Sequence, residues 1–284
     1  MQWFKGTSLL AAFLCGSCGA MSNPTAATAA RGSSTGFFTN GDVRLSYRLD
    51  LPDRSGPVGA VVFGHGSGLQ TKDTCRFLAD GFLSRGMATL CFDKRGVGQS
   101  TGTYVFVGPK DSIPVFDDLA SDMAAGVAFL RTRPEIDPKR IGLAGVSQAG
   151  WIIPIAAQKS RPAFMVLMVG PTVSVGIEGF YSDIVEFSNA SVEEGYKQLP
   201  SFNGFHGFDP KPVLEGLNVP GLWLLGEEDR SIPTPATVEI LDQLIASGKP
   251  YSRVVFPGFG HNLFGAPYWP EIDRWLERID QRQR

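Results

Sequence analysis

Ser147 stands where a serine can become a nucleophile. It sits within the run Ile141-Gly142-Leu143-Ala144-Gly145-Val146-Ser147-Gln148-Ala149-Gly150-Trp151, in which an apolar strand-like stretch breaks at Gly145 and a helix-like stretch follows Ser147. A strand-to-helix turn this tight lifts a hydroxyl above the end of a sheet. Gly145 supplies the close backbone approach that such a turn requires. The second small residue is Ala149, followed at once by Gly150, so a Gly-x-Ser-x-Gly pattern is missed by one methyl group. A serine hydroxyl is a poor nucleophile until a base removes its proton. The chain has 3 histidines, at 65, 206 and 261. His261 lies in the glycine-rich loop Pro257-Gly258-Phe259-Gly260-His261, just after a β-like run, where a ring can swing over a sheet edge. An acid that orients it belongs after another buried strand. Val219 to Gly226 is such a strand, and Glu227-Glu228-Asp229 follows it. Asp229 is the first choice, because a short carboxylate a few residues past Gly226 reaches an imidazole without unwinding the strand. Glu227 and Glu228 are the fallbacks.

The elements that would position these groups alternate. Val43 to Leu51 reads as a leading antiparallel strand and Val58 to Gly64 as a central one. Strand-like runs recur at Met87 to Asp93, Ile141 to Val146, Ala163 to Val169, Val219 to Gly226 and Ser252 to Phe256. Between them lie helical spacings at Thr74 to Arg85, Asp117 to Arg131, Trp151 to Gln158 and Ala236 to Ala246, with a terminal helix near Pro270 to Arg282. This rhythm predicts an α/β fold: a mostly parallel central sheet with helices on both faces and a site beyond the strands' carboxyl ends. Ser147, Asp229 and His261 all fall at those ends. Pro171 to Val213 interrupts the rhythm with seven aromatics, among them Phe180, Tyr181 and Phe187, and reads as a small inserted cap over a pocket, at about 171–213. The alternative is that these aromatics only fasten the insertion to the body. His206 is assigned to that packing.

The order Ser147, Asp229, His261 resembles that of the α/β-hydrolase superfamily, and more narrowly its bacterial esterase, dienelactone-hydrolase and acyl-aminopeptidase-like branch. The resemblance is carried by His65-Gly66-Ser67-Gly68, by Asp93-Lys94-Arg95-Gly96-Val97-Gly98-Gln99-Ser100-Thr101-Gly102, by the turn at Ser147, by the Gly226 to Pro233 turn and by Gly260-His261, in register over the chain after residue 40. It implies a serine hydrolase with an oxyanion hole. One backbone N–H would come from Gln148 and the other from Ser67 or its glycine neighbours, with His65 bracing the loop. Asp93 and Arg95 resemble the superfamily's structural turn, where an ion pair would hold the loop. The expected reaction is cleavage of a carboxylic ester through an acyl-enzyme. A peptidase or amidase with the same triad, and an inactive scaffold that binds, are the alternatives.

Charge and composition narrow the partners. A net charge of −2 without a Lys/Arg cluster argues against nucleic acid. Three scattered histidines argue against a metal, and the Gly96/Gly98 run is followed by no lysine-serine/threonine that would bind a nucleotide, so no cofactor is expected. The substrate is expected to be a small-molecule ester or amide. Residues 1–30 carry Lys5, the short apolar run Leu9 to Leu14 and Ala27-Thr28-Ala29, the pattern of a secretory signal peptide, with a disordered leader as the alternative. Export is the expectation, and membrane association only if Cys15 or Cys18 is lipidated. Residues 31–284 would form the hydrolase domain. Cys75 and Cys91 are expected as free thiols, Cys91 packing as a small hydrophobe in its strand.

Overall fold

The computed structural model describes residues 30–283. Eight strands form one sheet in the order β1-β2-β4-β3-β5-β6-β7-β8. They are β1 (Ala30–Asn40), β2 (Val43–Pro52), β3 (Val58–Gly64), β4 (Ala88–Phe92), β5 (Ile136–Val146), β6 (Met165–Met168), β7 (Gly221–Gly226) and β8 (Tyr251–Phe256). β1 and β2 form an antiparallel hairpin that pairs antiparallel with β4, and every pairing from β4 across to β8 is parallel. The α/β architecture expected from the alternation is the one observed.

β3 shows why the parallel core is so apolar. Val61 and Phe63 pack on one face with α1 (Arg76–Ser84) and α8 (Tyr268–Gln283). Ala60 and Val62 pack on the other with α2 (Ser112–Arg131) and α3 (Ala149–Ser160), in a cluster that α7 (Thr234–Ala246) extends toward β8. A strand covered on both faces has no solvent side to mark with polar residues.

Three expectations are corrected. β1 was not anticipated: Gly32-Ser33-Ser34-Thr35-Gly36 lacks apolar alternation, and the strand is held by its pairing with β2, where the buried Phe38 lies opposite Leu45. α2 starts at Ser112, five residues before the acidic pair Asp117-Asp118, because Pro114 is tolerated in the first helical turn. Cys75 and Cys91 are joined in a disulfide with their Cα atoms 6.3 Å apart. Cys91 shares the face of β4 against which α1 packs, and Cys75 sits immediately before that helix. The segment between β6 and β7 carries α4 (Val175–Ser182), which continues as a π-turn to Phe187, then α5 (Val192–Gln198) and α6 (Lys211–Gly216). The signal-peptide reading and the lipidation alternative at Cys15 or Cys18 lie outside the described residues.

Candidate active site

The turn at Ser147 is strained where a nucleophile would sit. Ser147 has φ +56°, a left-handed conformation that side chains rarely adopt. Its own N–H donates to Met168 O at 3.0 Å, and Gly150 N–H returns to Ser147 O at 2.7 Å. A Cβ on Gly145 would lie 2.5 Å from Ala149 Cβ and 2.8 Å from Gly64 O. One on Gly150 would lie 2.6 Å from Gly170 Cα. Space is thus exhausted at 145 and 150, while position 149 accommodates one methyl group. Gln148 begins α3 and is buried.

His261 and Asp229 meet. The loop after β8 folds back over the end of β7: Glu228 N–H donates to Phe259 O at 2.9 Å, and a Cβ on Gly226 would collide with Phe259 O and Gly260 O. This brings His261 Nδ1 to 2.9 Å from Asp229 Oδ2 and 3.1 Å from Oδ1. Asp229 is fully buried, and its Oδ1 also accepts from Ser231 N–H (2.9 Å) and Ile232 N–H (2.8 Å). Of the fallback acids, Glu227 turns elsewhere, its Oε2 accepting from Gly258 N–H at 3.0 Å. Burial pulls the His261 pKa down, but the hydrogen bond and charge of Asp229, with Glu186 and Glu178 behind them, hold it above 6.5. Among the described residues no hydrogen bond joins Ser147 Oγ to the imidazole; such contacts commonly tighten only when substrate is bound.

The loop after β3 lies beside the serine. A Cβ at Gly66 would touch Ser147 Cβ at 3.7 Å, while Ser67 presents its carbonyl to Gln70 Nε2 at 2.9 Å. His65 is buried edge-on against Phe92, ring centroids 5.0 Å apart. Burial and the neighbouring Lys94 push its pKa down to about 3, so it is neutral and acts as a packing residue.

Asp93 and Arg95 do not pair with each other. Asp93 accepts from Lys72 Nζ at 3.0 Å and from the backbone N–H groups of Lys72 and Gln99. Arg95 forks onto the buried Asp122 of α2 at 2.8 and 2.9 Å, with Asp118 at 3.2 Å. The loop is therefore tied to two separate elements. His206 hydrogen-bonds Ser174 Oγ at 2.9 Å and stacks edge-on with Phe202. Trp151 is buried, stacks on Phe116 and donates to Val173 O at 2.8 Å.

Residues without a motif also reach the site. Tyr181 of α4, fully buried, donates its hydroxyl to Asp229 O at 2.7 Å, and Arg230 reaches back to Val185 O and to Asn189 Oδ1 at 3.1 Å. The Glu178 carboxyl is pushed up to about 8 by burial, against the pull of His261. Lys94 is buried and bonded to both loops beside Ser147. A glutamate in an insertion and a lysine between two charged residues give no spacing signal. No cluster of three metal-ligating side chains occurs among the described residues.

The model of the prolyl oligopeptidase family matches residues 79–277, which span the serine turn, the acid and the histidine. The chain belongs to the prolyl oligopeptidase family. Its fold is that of the α/β-hydrolase superfamily, to which the solved neighbours of this member also belong. An esterase of Pyrococcus furiosus superposes with a TM-score of 0.67 at 18% identity, covering 87% of this chain and 91% of that one. The acylaminoacyl peptidase of Pyrococcus horikoshii superposes with a TM-score of 0.63 at 18% identity, over 90% of this chain but 42% of the other. By sequence, this prolyl oligopeptidase family member is 31% identical to the thiohydrolase aneE of Aspergillus aculeatus over 141 residues, covering 50% of this chain and 42% of the relative. It is 27% identical to a putative carboxymethylenebutenolidase of Methylorubrum extorquens over 232 residues, covering 79% and 69%. The chain thus spans less than half the length of the first of these relatives and about two thirds of the second.

Proposed function

We propose that the protein is a serine hydrolase that cleaves a carboxylic ester through an acyl-enzyme. The observation that carries this reading is the buried Asp229 gripping Nδ1 of an imidazole whose loop follows β8 at the same carboxyl end of the parallel strands as the strained Ser147 after β5. Bound at Nδ1, the ring is left with Nε2 to take the Ser147 proton as the hydroxyl attacks the carbonyl carbon. Asp229 holds the useful tautomer and stabilises the imidazolium. The tetrahedral oxygen is met by backbone N–H groups of Gln148 and of the Gly66-Ser67 loop. His261 returns its proton to the leaving alcohol, then serves as base for the water that releases the acid.

The segment between β6 and β7 acts in this reading as a cap, and the acyl group it admits is apolar. Leu69 follows the Gly68 loop, Phe264 follows His261, and Phe187 and Phe205 belong to the insertion. All four are large, apolar and exposed. Export fits the Cys75–Cys91 disulfide, since such bonds persist in oxidising compartments.

Amide cleavage is the second reading, favoured by the family to which the chain belongs. Turnover of an ester and an amide sharing one acyl group separates the two: a much faster ester supports the first. Ser147→Ala is expected to abolish hydrolysis of short p-nitrophenyl esters and labelling by a fluorophosphonate. Persistent labelling in that variant overturns the assignment.

A further inference from the structure

Lys94 is 2% exposed, and among the described residues no carboxylate lies within ion-pair distance of its ammonium. Its neighbours in the chain do not neutralise it, because Asp93 is committed to Lys72 and Arg95 to Asp118 and Asp122. An unpaired ammonium taken out of water is costly, and every one of its donors must find an acceptor. Here the three N–H donors face three acceptors: Gly66 O at 2.8 Å, Gly68 O at 3.3 Å and Gln148 Oε1 at 2.9 Å. The first two belong to the loop after β3. The third belongs to the residue after Ser147. One side chain therefore ties together the two segments to which the proposed function assigns the oxyanion hole.

We propose that Lys94 is a positioning residue of the oxyanion hole, fixing the separation of its two halves and placing an uncompensated positive charge behind it. The inference rests on the reading of Ser147 as nucleophile. A carbonyl in the ground state is neutral, whereas the tetrahedral oxygen carries a full charge. Donors held in place by Lys94, and its own charge, thus act mainly in the transition state. Desolvation lowers the Lys94 pKa to about 8, which keeps most of the charge at neutral pH. Of the titratable groups beside it, His65 is held uncharged by burial and by Lys94 itself, and burial raises the pKa of Tyr104, whose ring centroid lies 5.9 Å from the ammonium.

The test is steady-state hydrolysis of a p-nitrophenyl ester by Lys94→Met, Gln148→Leu and the double variant, with thermal melts and fluorophosphonate labelling rates alongside. Lys94→Met is expected to lose roughly 10- to 100-fold in kcat and in labelling rate, with KM changed by less than about threefold. Gln148→Leu removes one end of the same tie and is expected to lose roughly three- to tenfold, again in kcat. The double variant should be no slower than Lys94→Met, because both changes break one link. Wild-type kcat in Lys94→Met, a loss confined to KM, or losses that multiply in the double variant overturn the proposal. If Lys94→Met does not fold, Gln148→Leu decides: a kcat loss without a KM change supports the tie, and unchanged kcat overturns it. Ser147→Ala separates the two readings. Activity surviving in Ser147→Ala removes the nucleophile assignment itself, whereas a Ser147-dependent enzyme indifferent to Lys94 removes this inference alone.

Discussion

At the scale of single residues, the pH profile follows from what surrounds His261. A general base works in its neutral form, so activity must rise with pH through the imidazole pKa. Burial acts to lower that pKa, and Asp229, Glu186 and Glu178 act to raise it, with the second influence winning. The acid limb of kcat/KM is therefore expected at a midpoint above 6.5; a midpoint at or below 6.5 contradicts the assignment. Asp229→Asn removes the raising charge and leaves the desolvation, so its limb should move to lower pH. The same change offers an amide N–H to Nδ1 and favours the wrong tautomer, with a kcat loss on the order of 10⁴-fold. The chain order and glycine setting made Ser147 and His261 legible as strand-end residues, and Asp229 was separable from Glu227 and Glu228 by reach alone. Lys94 was not legible. Set between Asp93 and Arg95 it reads as surface charge, and only the fold turns its side chain inward while its neighbours go to other elements.

At the scale of elements, the Asp229 turn and the insertion are joined by hydrogen bonds in both directions. α4 is capped by Ser174, whose hydroxyl accepts from Ile177 N–H, and presents Tyr181 to the carbonyl of Asp229. Arg230, the next residue, reaches back to the π-turn that continues α4. Tyr181→Phe leaves a buried carbonyl without its partner, which costs about 1–3 kcal/mol. Urea unfolding is expected to show that loss, and kcat should fall as the Asp229 turn loosens. Retained stability and kcat would mean that the insertion merely rests on the turn. The same elements mark where sequence patterns stop informing. Helix spacing located α1, α2 and α3, because each presents an apolar face to a sheet. β1 escaped because its two aromatics are adjacent, Phe38 buried and Phe37 exposed, in a strand whose other residues are small or polar and show no alternation. Within the insertion, the helix-compatible stretches Ile177 to Ala190 and Val192 to Leu199 are where α4 with its π-turn and α5 form, whereas α6 escaped because a six-residue helix that buries only Leu214 shows no stripe.

At the scale of the whole molecule, the sheet carries Ser147, Asp229 and His261 beyond the carboxyl ends of its parallel strands, and its two helical layers are anchored differently. α2, α3 and α7 share a large apolar cluster with the inner strands. On the opposite face α1 is a nine-residue helix that buries Leu78, Ala79 and Phe82, and a covalent bond joins the residue before it to β4. Cys91 looked like a small core hydrophobe in its strand, and it is buried as one. What the strand pattern did not convey was that the helix start lies opposite the same face. The bond closes a loop of 16 residues, and restricting the unfolded chain by a loop of that size is worth about 3 kcal/mol. In a domain of this size, 1 kcal/mol moves the melting temperature by about 2–4 °C. Reduction with a phosphine, or replacement of both cysteines by serine, is therefore expected to lower the melting temperature by roughly 6–12 °C. An unchanged melt together with two titratable thiols in the untreated protein would mean that the cysteines are not bonded in solution. It would also remove the support that the disulfide lends to export.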